Sequence, residues 1–165
     1  MDILKPLPPE KILLQRSHWQ EMLADVTRRE HEEACGLVPG KGVTSLAVIP
    51  MANALHSRVR FRLDPEEQFE AFRRIAGNGW ELLAIYHSHL DGPPGPSPVD
   101  VAEATYPEVV YLIWSRIKGK WECRGFLISS GLFRAVTVVV IDDLQQSHPP
   151  SSSSEEAGGL PTIFS

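Results

Sequence analysis

Cysteine is scarce in this sequence. Cys35 and Cys123 are the only two among 165 residues, and neither belongs to a Cys-x-x-Cys pair. Two isolated thiols cannot form the disulfide framework of a small secreted domain. The scarcity of cysteine is therefore typical of a protein from a reducing compartment.

Long apolar runs are missing as well. No segment approaches the ~20 consecutive apolar residues that a membrane-spanning helix needs. Prolines and charges interrupt the opening residues MDILKPLPPEKILL, unlike the apolar region of a secretory signal. Together with the scarcity of cysteine, these absences predict a cytoplasmic protein without a membrane partner.

The chain has no excess of positive charge. Lysine and arginine number 16 against 21 aspartates and glutamates, which gives a formal net charge of −5. A protein that holds a phosphate backbone needs a basic surface, so nucleic acid is not an expected partner. Nothing in the sequence indicates the oligomeric state.

Length and composition predict one folded domain with a substantial core. The chain has 165 residues, of which 42% are hydrophobic, and both values are typical of a single globular domain. From Gln145 onward the residues are mainly Ser, Pro, Glu and Gly, which cannot bury enough apolar area to order a segment. We therefore expect a domain over residues 1–143, followed by a flexible tail over residues 144–165.

Three helices are predicted from their N-terminal signals. Ser17 and Gln20 have the spacing of a capping box. Asp64-Pro65 combines an N-cap with proline at the first helical position, and Ser97-Pro98 opens a third helix. The apolar spacing of the first two helices predicts the face that each turns toward the core. These faces consist of Trp19, Met22, Leu23 and Val26 in the first helix and of Phe69, Phe72, Ile75 and Ala76 in the second. Asp25 is predicted on the solvent-exposed side of the first helix.

Seven strands are predicted from apolar runs and from alternating patterns, over residues 32–38, 43–49, 59–63, 81–86, 109–114, 121–128 and 133–141. Pro39-Gly40-Lys41-Gly42 joins the first two strands as a hairpin turn. Since hairpins alternate with helices, the predicted fold class is α/β or α+β, with one mixed β-sheet flanked by helices.

Two histidines follow the predicted strand over residues 81–86. His87 and His89 are two residues apart, so on a strand both imidazoles project from one face toward a single cation. Asp100 follows at the start of the third helix, beyond a loop rich in glycine and proline. Two imidazoles and one carboxylate leave a fourth tetrahedral position for water, which is typical of a catalytic zinc site. Taken alone, the pair Ser97 and Asp100 is better explained as a helix capping box.

Hydrolysis at such a site needs a carboxylate that accepts a proton from water and passes it to the leaving amine. Glu32 and Glu33 are the candidates. Because neighbouring strand residues point to opposite faces, at most one of them reaches the metal, and the residues alone leave the choice open. Ser97 carries a hydroxyl that can donate to a developing oxyanion.

Together these residues resemble the JAMM (MPN+) metalloprotease motif, E…H-S/T-H-x7-S-x2-D. Glu33 is followed by His87-Ser88-His89, then by seven residues, Ser97, two residues and Asp100, so every position is matched. The resemblance implies a mixed sheet flanked by helices, similar to the cytidine deaminase architecture. It also implies a role for each motif residue: one zinc ion per chain on His87, His89 and Asp100, proton transfer by Glu33 rather than Glu32, and stabilisation of the tetrahedral intermediate by Ser97.

Members of this family commonly cleave the isopeptide bond between ubiquitin, or a ubiquitin-like protein, and a lysine amine. The resemblance therefore implies conjugates of such proteins as partners. Residues 104–109 lead almost directly to the next predicted strand, so the chain resembles the compact prokaryotic members. Trimming of a small sulfur-carrier protein, which shares the ubiquitin fold and the Gly-Gly end, stays open as an alternative substrate.

Two other functional classes compete with the peptidase. A catalytically inactive MPN scaffold would have little reason to keep a complete set of buried polar groups, which destabilises a fold unless a cation compensates for it. An iron oxygenase with two histidines and one carboxylate shares the donor set. That enzyme is expected on an all-β fold, which the predicted helices disfavour.

Overall fold

The computed structural model of the protein describes residues 7–145. Of the tail predicted over residues 144–165, only Leu144 and Gln145 belong to this range. The tail and the domain boundary at residue 143 therefore stay predictions. Among the helices of the described range, none is long and apolar enough to cross a membrane.

Within residues 7–145 the chain forms eight strands and three helices. In chain order these are β1 (Lys11–Gln15), α1 (Arg16–Arg28), β2 (Cys35–Lys41), β3 (Thr44–Ser45), β4 (Ile49–Met51), α2 (Pro65–Gly77), β5 (Glu81–His89), α3 (Pro98–Glu103), β6 (Val110–Ile117), β7 (Lys120–Ser129) and β8 (Leu132–Ile141).

The strands form one mixed sheet in the order β3-β1-β8-β7-β6-β5-β2-β4. β5 runs parallel to β6 and β1 runs parallel to β8, whereas β2 pairs antiparallel with β5 and β7 pairs antiparallel with both its neighbours. β3 pairs with β2 as well as with β1, so the sheet curls back on itself. The predicted fold class, with one mixed sheet and helices against it, is confirmed.

Each face of the sheet carries its own apolar core. Ala84 and Tyr86 of β5 face the core formed with α1, whereas Ile85 between them faces the core formed with α2. This alternation is what a strand imposes on successive side chains. His87 and His89 share the parity of Ile85 and therefore lie on the α2 side of the sheet.

The first helix begins differently from the prediction. α1 starts directly after β1, and its N-cap residue Gln15 makes no side-chain cap hydrogen bond. Ser17 lies inside the first turn, where its N–H donates to Oδ1 of Asp143 at 2.9 Å. The predicted capping box of Ser17 and Gln20 is wrong, because the strand runs straight into the helix and a carboxylate beyond β8 supplies the acceptor.

Asp25, predicted on the exposed side of α1, is buried. Its side chain is 2% exposed and accepts hydrogen bonds from Arg28, Arg29 and the hydroxyl of Tyr86, at 3.0, 2.6 and 2.7 Å. A carboxylate that is paired and hydrogen-bonded tolerates burial. The predicted inner face is otherwise confirmed, with burial or core packing at Trp19, Met22, Leu23 and Val26.

The second helix begins as predicted, but its inner face is rotated. Asp64 accepts hydrogen bonds from the N–H groups of Glu66 and Glu67 at 3.0 Å each. Phe69 is 63% exposed and Ala76 is also exposed, so both are wrong as core positions. They lie about 100° around the helix axis from the packed face, which consists of Ala71, Phe72 and Ile75.

The predicted strands differ mainly in the first hairpin. β2 begins at Cys35 rather than at residue 32 and continues through Lys41, so the turn lies at Gly42, whose φ of +60° favours glycine. The segment predicted as one strand over residues 43–49 is divided between β3 and β4. Residues 59–63 form no strand, and Leu63 makes only an isolated bridge with Asn53. The remaining strands and α3 are confirmed, with ends shifted by at most three residues.

Candidate metal centre

Two imidazoles meet at the C-terminal end of β5. His87 and His89 are 0% and 4% exposed, and their Nε2 atoms lie 3.1 Å apart. Residues two apart on a strand share a face, so β5 delivers both rings to the same side. The structure therefore brings the predicted histidine pair together.

Asp100 joins this pair from the first turn of α3. Its Oδ1 lies 3.1 Å from Nε2 of His87, and its Oδ2 lies 3.0 Å from Nε2 of His89. The capping box of α3 holds the carboxylate: the N–H of Ser97 donates to Oδ2 at 2.8 Å, and Oγ of Ser97 accepts from the N–H of Asp100 at 3.1 Å. The capping box is therefore present, and the same carboxylate belongs to the cluster with the histidines.

The donor set fits a tetrahedral zinc ion. The Nε2 atoms of His87 and His89 lie 3.1 Å apart, and each lies 3.0 to 3.1 Å from a different oxygen of Asp100. With one ligand atom taken from each residue, all three atoms lie within 4.8 Å of one another. Neighbouring ligands of a tetrahedral zinc ion with ordinary bond lengths lie about 3.3 Å apart. Two imidazoles and one carboxylate without a thiolate are typical of zinc sites that keep a position for water.

A hydrogen bond at Nδ1, the ring nitrogen that faces away from the cluster, fixes the tautomer of His89. Its Nδ1–H donates to the carbonyl oxygen of Pro93 at 2.7 Å, and the hydroxyl of Ser115 donates to the same oxygen at 2.8 Å. With the hydrogen on Nδ1, the lone pair of Nε2 faces the cluster, as a metal ligand requires. The sequence analysis found neither partner, because a backbone carbonyl and a distant serine belong to no motif.

Burial and hydrogen bonding shift the pKa values of the cluster. Burial disfavours the charge of Asp100, but hydrogen bonds from the imidazoles of His87 and His89, which His89 makes when its ring is protonated at both nitrogens, outweigh burial and hold the pKa of Asp100 far below its usual range. Burial lowers the pKa of His87. Burial also acts to lower the pKa of His89, but hydrogen bonds to Asp100 and Pro93 prevail and raise it. An ionised carboxylate between two imidazole nitrogens is an arrangement that attracts a cation.

Glu33 lies beside this cluster, whereas Glu32 does not. Glu33 is 4% exposed, and burial raises the pKa of its carboxyl to about 8, with the charge of His89 acting to lower it and that of Asp100 acting to raise it. Glu32 turns outward and contacts Nδ1 of the exposed His56 at 2.9 Å. Of the two candidates that the residues alone left open, the fold brings Glu33 to the cluster.

The hydroxyl of Ser97 lies at the edge of the cluster. Its oxygen accepts the N–H of Asp100, so its own hydrogen stays available for a further acceptor. The side chain is partly buried. The same hydroxyl can therefore cap α3 and donate to an oxygen that develops negative charge beside Asp100.

A cavity of about 520 Å³ opens next to the cluster, and we call it the groove. Residues 61–63 and residues 102–106 contribute to its wall, together with His87 and Asp100. The ring of Phe61 stacks on that of His87, with centroids 4.5 Å apart and planes 22° from parallel. Phe61 carries no sequence signal for this position, because its contact with His87 depends on how a segment without regular structure folds back over β5.

The sequence matches the family described as prokaryotic homologs of the JAB domain, over residues 15–127. The chain belongs to this family. The matched range contains the whole motif from Glu33 to Asp100, so the resemblance to JAMM metalloproteases is confirmed. This prokaryotic JAB protein is a peptidase of the JAMM type.

This prokaryotic JAB protein is similar to a desampylase, to a CysO-cysteine peptidase and to a protein of known structure. It is 31% identical over 118 residues to the desampylase of Pyrococcus furiosus, covering 72% of this chain and 82% of that protein. It is 32% identical over 134 residues to the CysO-cysteine peptidase of Mycobacterium tuberculosis, covering 79% of this chain and 92% of that protein. A protein of Desulfitobacterium hafniense with a solution structure is similar in fold, with a TM-score of 0.74 and 33% identity over 84% of this chain and 98% of that one.

Proposed function

We propose that this chain is a zinc-dependent peptidase that hydrolyses the amide bond after the C-terminal Gly-Gly of ubiquitin or a ubiquitin-like protein. One observation carries the proposal: His87, His89 and Asp100 offer ligand atoms within 4.8 Å of one another, and the buried Glu33 is near enough for the charges of His89 and Asp100 to act on its carboxyl. The names desampylase and CysO-cysteine peptidase, which two relatives carry, support bond cleavage of this class.

Each motif residue has a role in this proposal. His87, His89 and Asp100 would hold the zinc ion, and a zinc ion in such a site would supply polarisation of the scissile carbonyl and a lowered pKa for water. Glu33 accepts the proton of the attacking water and passes it to the leaving amine. The hydroxyl of Ser97 donates to the carbonyl oxygen as its negative charge develops.

The groove supports an extended substrate end made of small residues. The N–H and C=O groups of Phe61 make no hydrogen bond within residues 7–145, although the C=O of Arg60 and the N–H of Arg62 are both bonded. A peptide can add to such a free backbone edge as an extra strand. Glycine has no Cβ and therefore leaves room beside the Phe61 ring, so a Gly-Gly end suits this position.

Trimming of a sulfur-carrier protein of the ubiquitin fold is the second candidate. The similarity to the CysO-cysteine peptidase, which covers 92% of that protein, favours it. Both candidates use the same residues and the same Gly-Gly end, and they differ only in the group that leaves. Substrate comparison therefore separates them, while mutation of the shared residues does not.

The scaffold and the oxygenase have less support. A non-catalytic scaffold does not account for the buried donor set or for the peptidase relatives. The iron oxygenase shares the donors, but the chain folds as a mixed sheet with helices against both faces and belongs to a peptidase family.

The test uses the full chain loaded with one equivalent of zinc. Substrates are ubiquitin and sulfur-carrier proteins, each extended beyond Gly-Gly by a peptide, by a single cysteine or by an isopeptide-linked lysine. We expect mass spectrometry to find a product that ends at Gly-Gly. Chelation should abolish the product and added zinc should restore it.

Two comparisons make this test decisive. The Glu33→Gln variant controls for contaminating proteases, because it should carry zinc and release no product. Preference for the cysteine extension would favour the sulfur-carrier function, and preference for the lysine linkage would favour deconjugation. Failure of the zinc-loaded chain to cleave any Gly-Gly substrate would overturn the proposal.

A further inference from the structure

Asn53 makes five hydrogen bonds from a side chain that is fully buried. Its Nδ2 has two hydrogens and lies within hydrogen-bond distance of three backbone carbonyl oxygens, so one hydrogen is shared between two of them. Its Oδ1 accepts from two backbone N–H groups. The carbonyl partners are Glu33, Ser57 and Arg60 at 3.1, 3.3 and 2.9 Å, and the N–H partners are Leu55 and Arg62 at 3.0 and 3.2 Å.

One of these contacts holds the backbone of Glu33. Asn53 binds the C=O of Glu33, and the N–H of Glu33 donates to the C=O of Ser57 at 2.7 Å. Glu33 lies before β2 and belongs to no helix or strand. Its backbone groups are therefore held by these two hydrogen bonds and not by pairing with a neighbouring strand. The position of the Glu33 backbone therefore depends on Asn53 and on the segment that Asn53 folds.

Two other contacts fix the groove wall at Phe61. Asn53 holds the C=O of Arg60 and the N–H of Arg62, the residues on either side of Phe61. Arg60 also pairs with Glu103 of α3, which links this wall to the helix that carries the cluster carboxylate. Because Phe61 stacks on His87, a shift of this wall would also move the surface against which His87 packs.

We infer that Asn53 is a positioning residue: its hydrogen bonds fix the backbone of the proton acceptor Glu33 and the groove wall at Phe61 relative to each other. The inference rests on the proposed function for the role of Glu33. Asn53 acts through these neighbours, since its polar atoms are all engaged with the backbone. A displacement of about 1 Å in a reacting group lowers the rate of the chemical step about a hundredfold. A groove wall that is already ordered reduces the entropy lost when the substrate binds.

The main test is Asn53→Asp, which keeps the size of the side chain and its Oδ1 acceptor. The second carboxylate oxygen replaces the Nδ2 donor, so it faces three carbonyl oxygens and cannot donate to them. We expect kcat to fall by about tenfold to a hundredfold and KM to rise, with zinc still bound at one ion per chain. Hydrogen exchange should accelerate at the amides of Glu33 and Arg62. A role in global stability alone would lower the melting temperature and leave both constants unchanged in the folded, zinc-loaded protein.

Asn78→Asp is the matched control. Among residues 7–145, Nδ2 of Asn78 donates only to the C=O of Arg74, at 2.8 Å. Asn78 lies at the end of α2 and does not line the groove. The same chemical change at this exposed site should leave kcat and KM unchanged. A similar loss at both positions would show that the effect is not specific to the site.

Tyr111→Phe separates the wall from the proton acceptor. The hydroxyl oxygen of Tyr111 accepts the N–H groups of Thr105 and Tyr106, at 3.2 Å each, and so holds another part of the groove wall. It makes no hydrogen bond to Glu33 within the described range. We therefore expect Tyr111→Phe to raise KM and leave kcat unchanged, whereas the Asn53 variant changes both.

Asn53→Gln replaces Asn53→Asp if the latter does not fold. It keeps both amide groups but displaces them by one methylene, and the same changes in kcat, KM and exchange are expected. Unchanged kcat, or unchanged exchange at the Glu33 amide, in a folded Asn53 variant would overturn the inference. If the wild-type chain cleaves no Gly-Gly substrate, the proposed function fails instead, and the exchange rates still report whether Asn53 holds Glu33.

Discussion

The Nδ1–H of His89 donates to the carbonyl oxygen of Pro93 at 2.7 Å, and this bond determines which nitrogen of the ring faces Asp100. The hydrogen on Nδ1 leaves the lone pair of Nε2 directed at the cluster. The ring is therefore held in the tautomer that binds a cation. Four predictions about the site and one about stability depend on contacts of this kind.

Replacing His89 with Ala should remove zinc from the protein. The variant loses one of three zinc ligands, so the zinc content after dialysis should fall from about one ion per chain toward zero. Elemental analysis by inductively coupled plasma mass spectrometry measures this content. His56→Ala is the control, because His56 is exposed and contacts only Glu32 among the acidic residues of the described range. An unchanged ratio of zinc to protein in the His89 variant would contradict the ligand assignment.

Replacing Glu33 with Gln should stop turnover without removing the metal. The amide keeps the shape of the side chain but cannot accept and return a proton, so kcat should fall by about 10²- to 10⁴-fold. Glu32→Gln is the matched control and should retain activity, since Glu32 turns toward His56. Retained activity in the Glu33 variant, with loss in the Glu32 variant, would reverse the assignment.

Ser97 should show two separable effects. Ser97→Ala removes the cap of α3, which costs about 1 kcal/mol of stability, and removes a hydroxyl donor, which lowers kcat by about 10²- to 10³-fold. Ser97→Thr keeps the hydroxyl that caps the helix and donates, so it should lose little stability and little kcat. Measurement of melting temperature and kcat on both variants checks this. An Ala variant with reduced stability and full kcat would restrict Ser97 to the cap.

Cys35 should be dispensable although it lies near Glu33. Burial raises the pKa of its thiol to about 12, with the charge of Arg29 acting in the opposite direction, so the thiol stays protonated at neutral pH. Sγ is fully buried and donates to the C=O of Met51 at 3.6 Å. We expect Cys35→Ser to keep most of the activity and iodoacetamide to leave the native enzyme active. Inactivation that parallels alkylation of Cys35, with zinc still bound, would favour a thiol mechanism.

His18 should make stability depend on pH. Burial lowers the pKa of His18, with the charges of Glu21 and Asp143 acting to raise it, and its Nδ1 lies 2.8 Å from Oγ of Ser45. The unfolded chain has the ordinary pKa of about 6.5 and binds a proton first as the pH falls. The contribution of His18 to stability is therefore present above about pH 6.5 and is lost as the pH falls below that value toward the folded-state pKa.

The free energy of unfolding in urea at pH 7.5 and at pH 5.5 measures this effect. The wild type should lose stability between these values, and His18→Gln should lose less, because the neutral amide does not titrate. An equal loss in both proteins would assign the pH dependence to other groups.

The parts of the site that were predicted correctly depend on short separations along the chain. His87 and His89 share a face because they are two residues apart on a strand, and Asp100 is held by Ser97 because they are three residues apart at a helix start. These relations follow from strand and helix geometry alone. One error lies where distant groups meet: the burial of Asp25 depends on a hydroxyl 61 positions away on Tyr86.

The sequence by itself determined the family, the motif from Glu33 to Asp100 and the mixed sheet with helices, because residue types, fixed spacings and local periodicity carry that information. The tertiary structure alone decided that Glu32 turns outward, that Pro93 orients His89 and that Asn53 ties Glu33 to the groove wall. Each of these relations joins segments that are irregular or far apart in the chain. Their geometry exists only once β2, β5 and α3 have packed together.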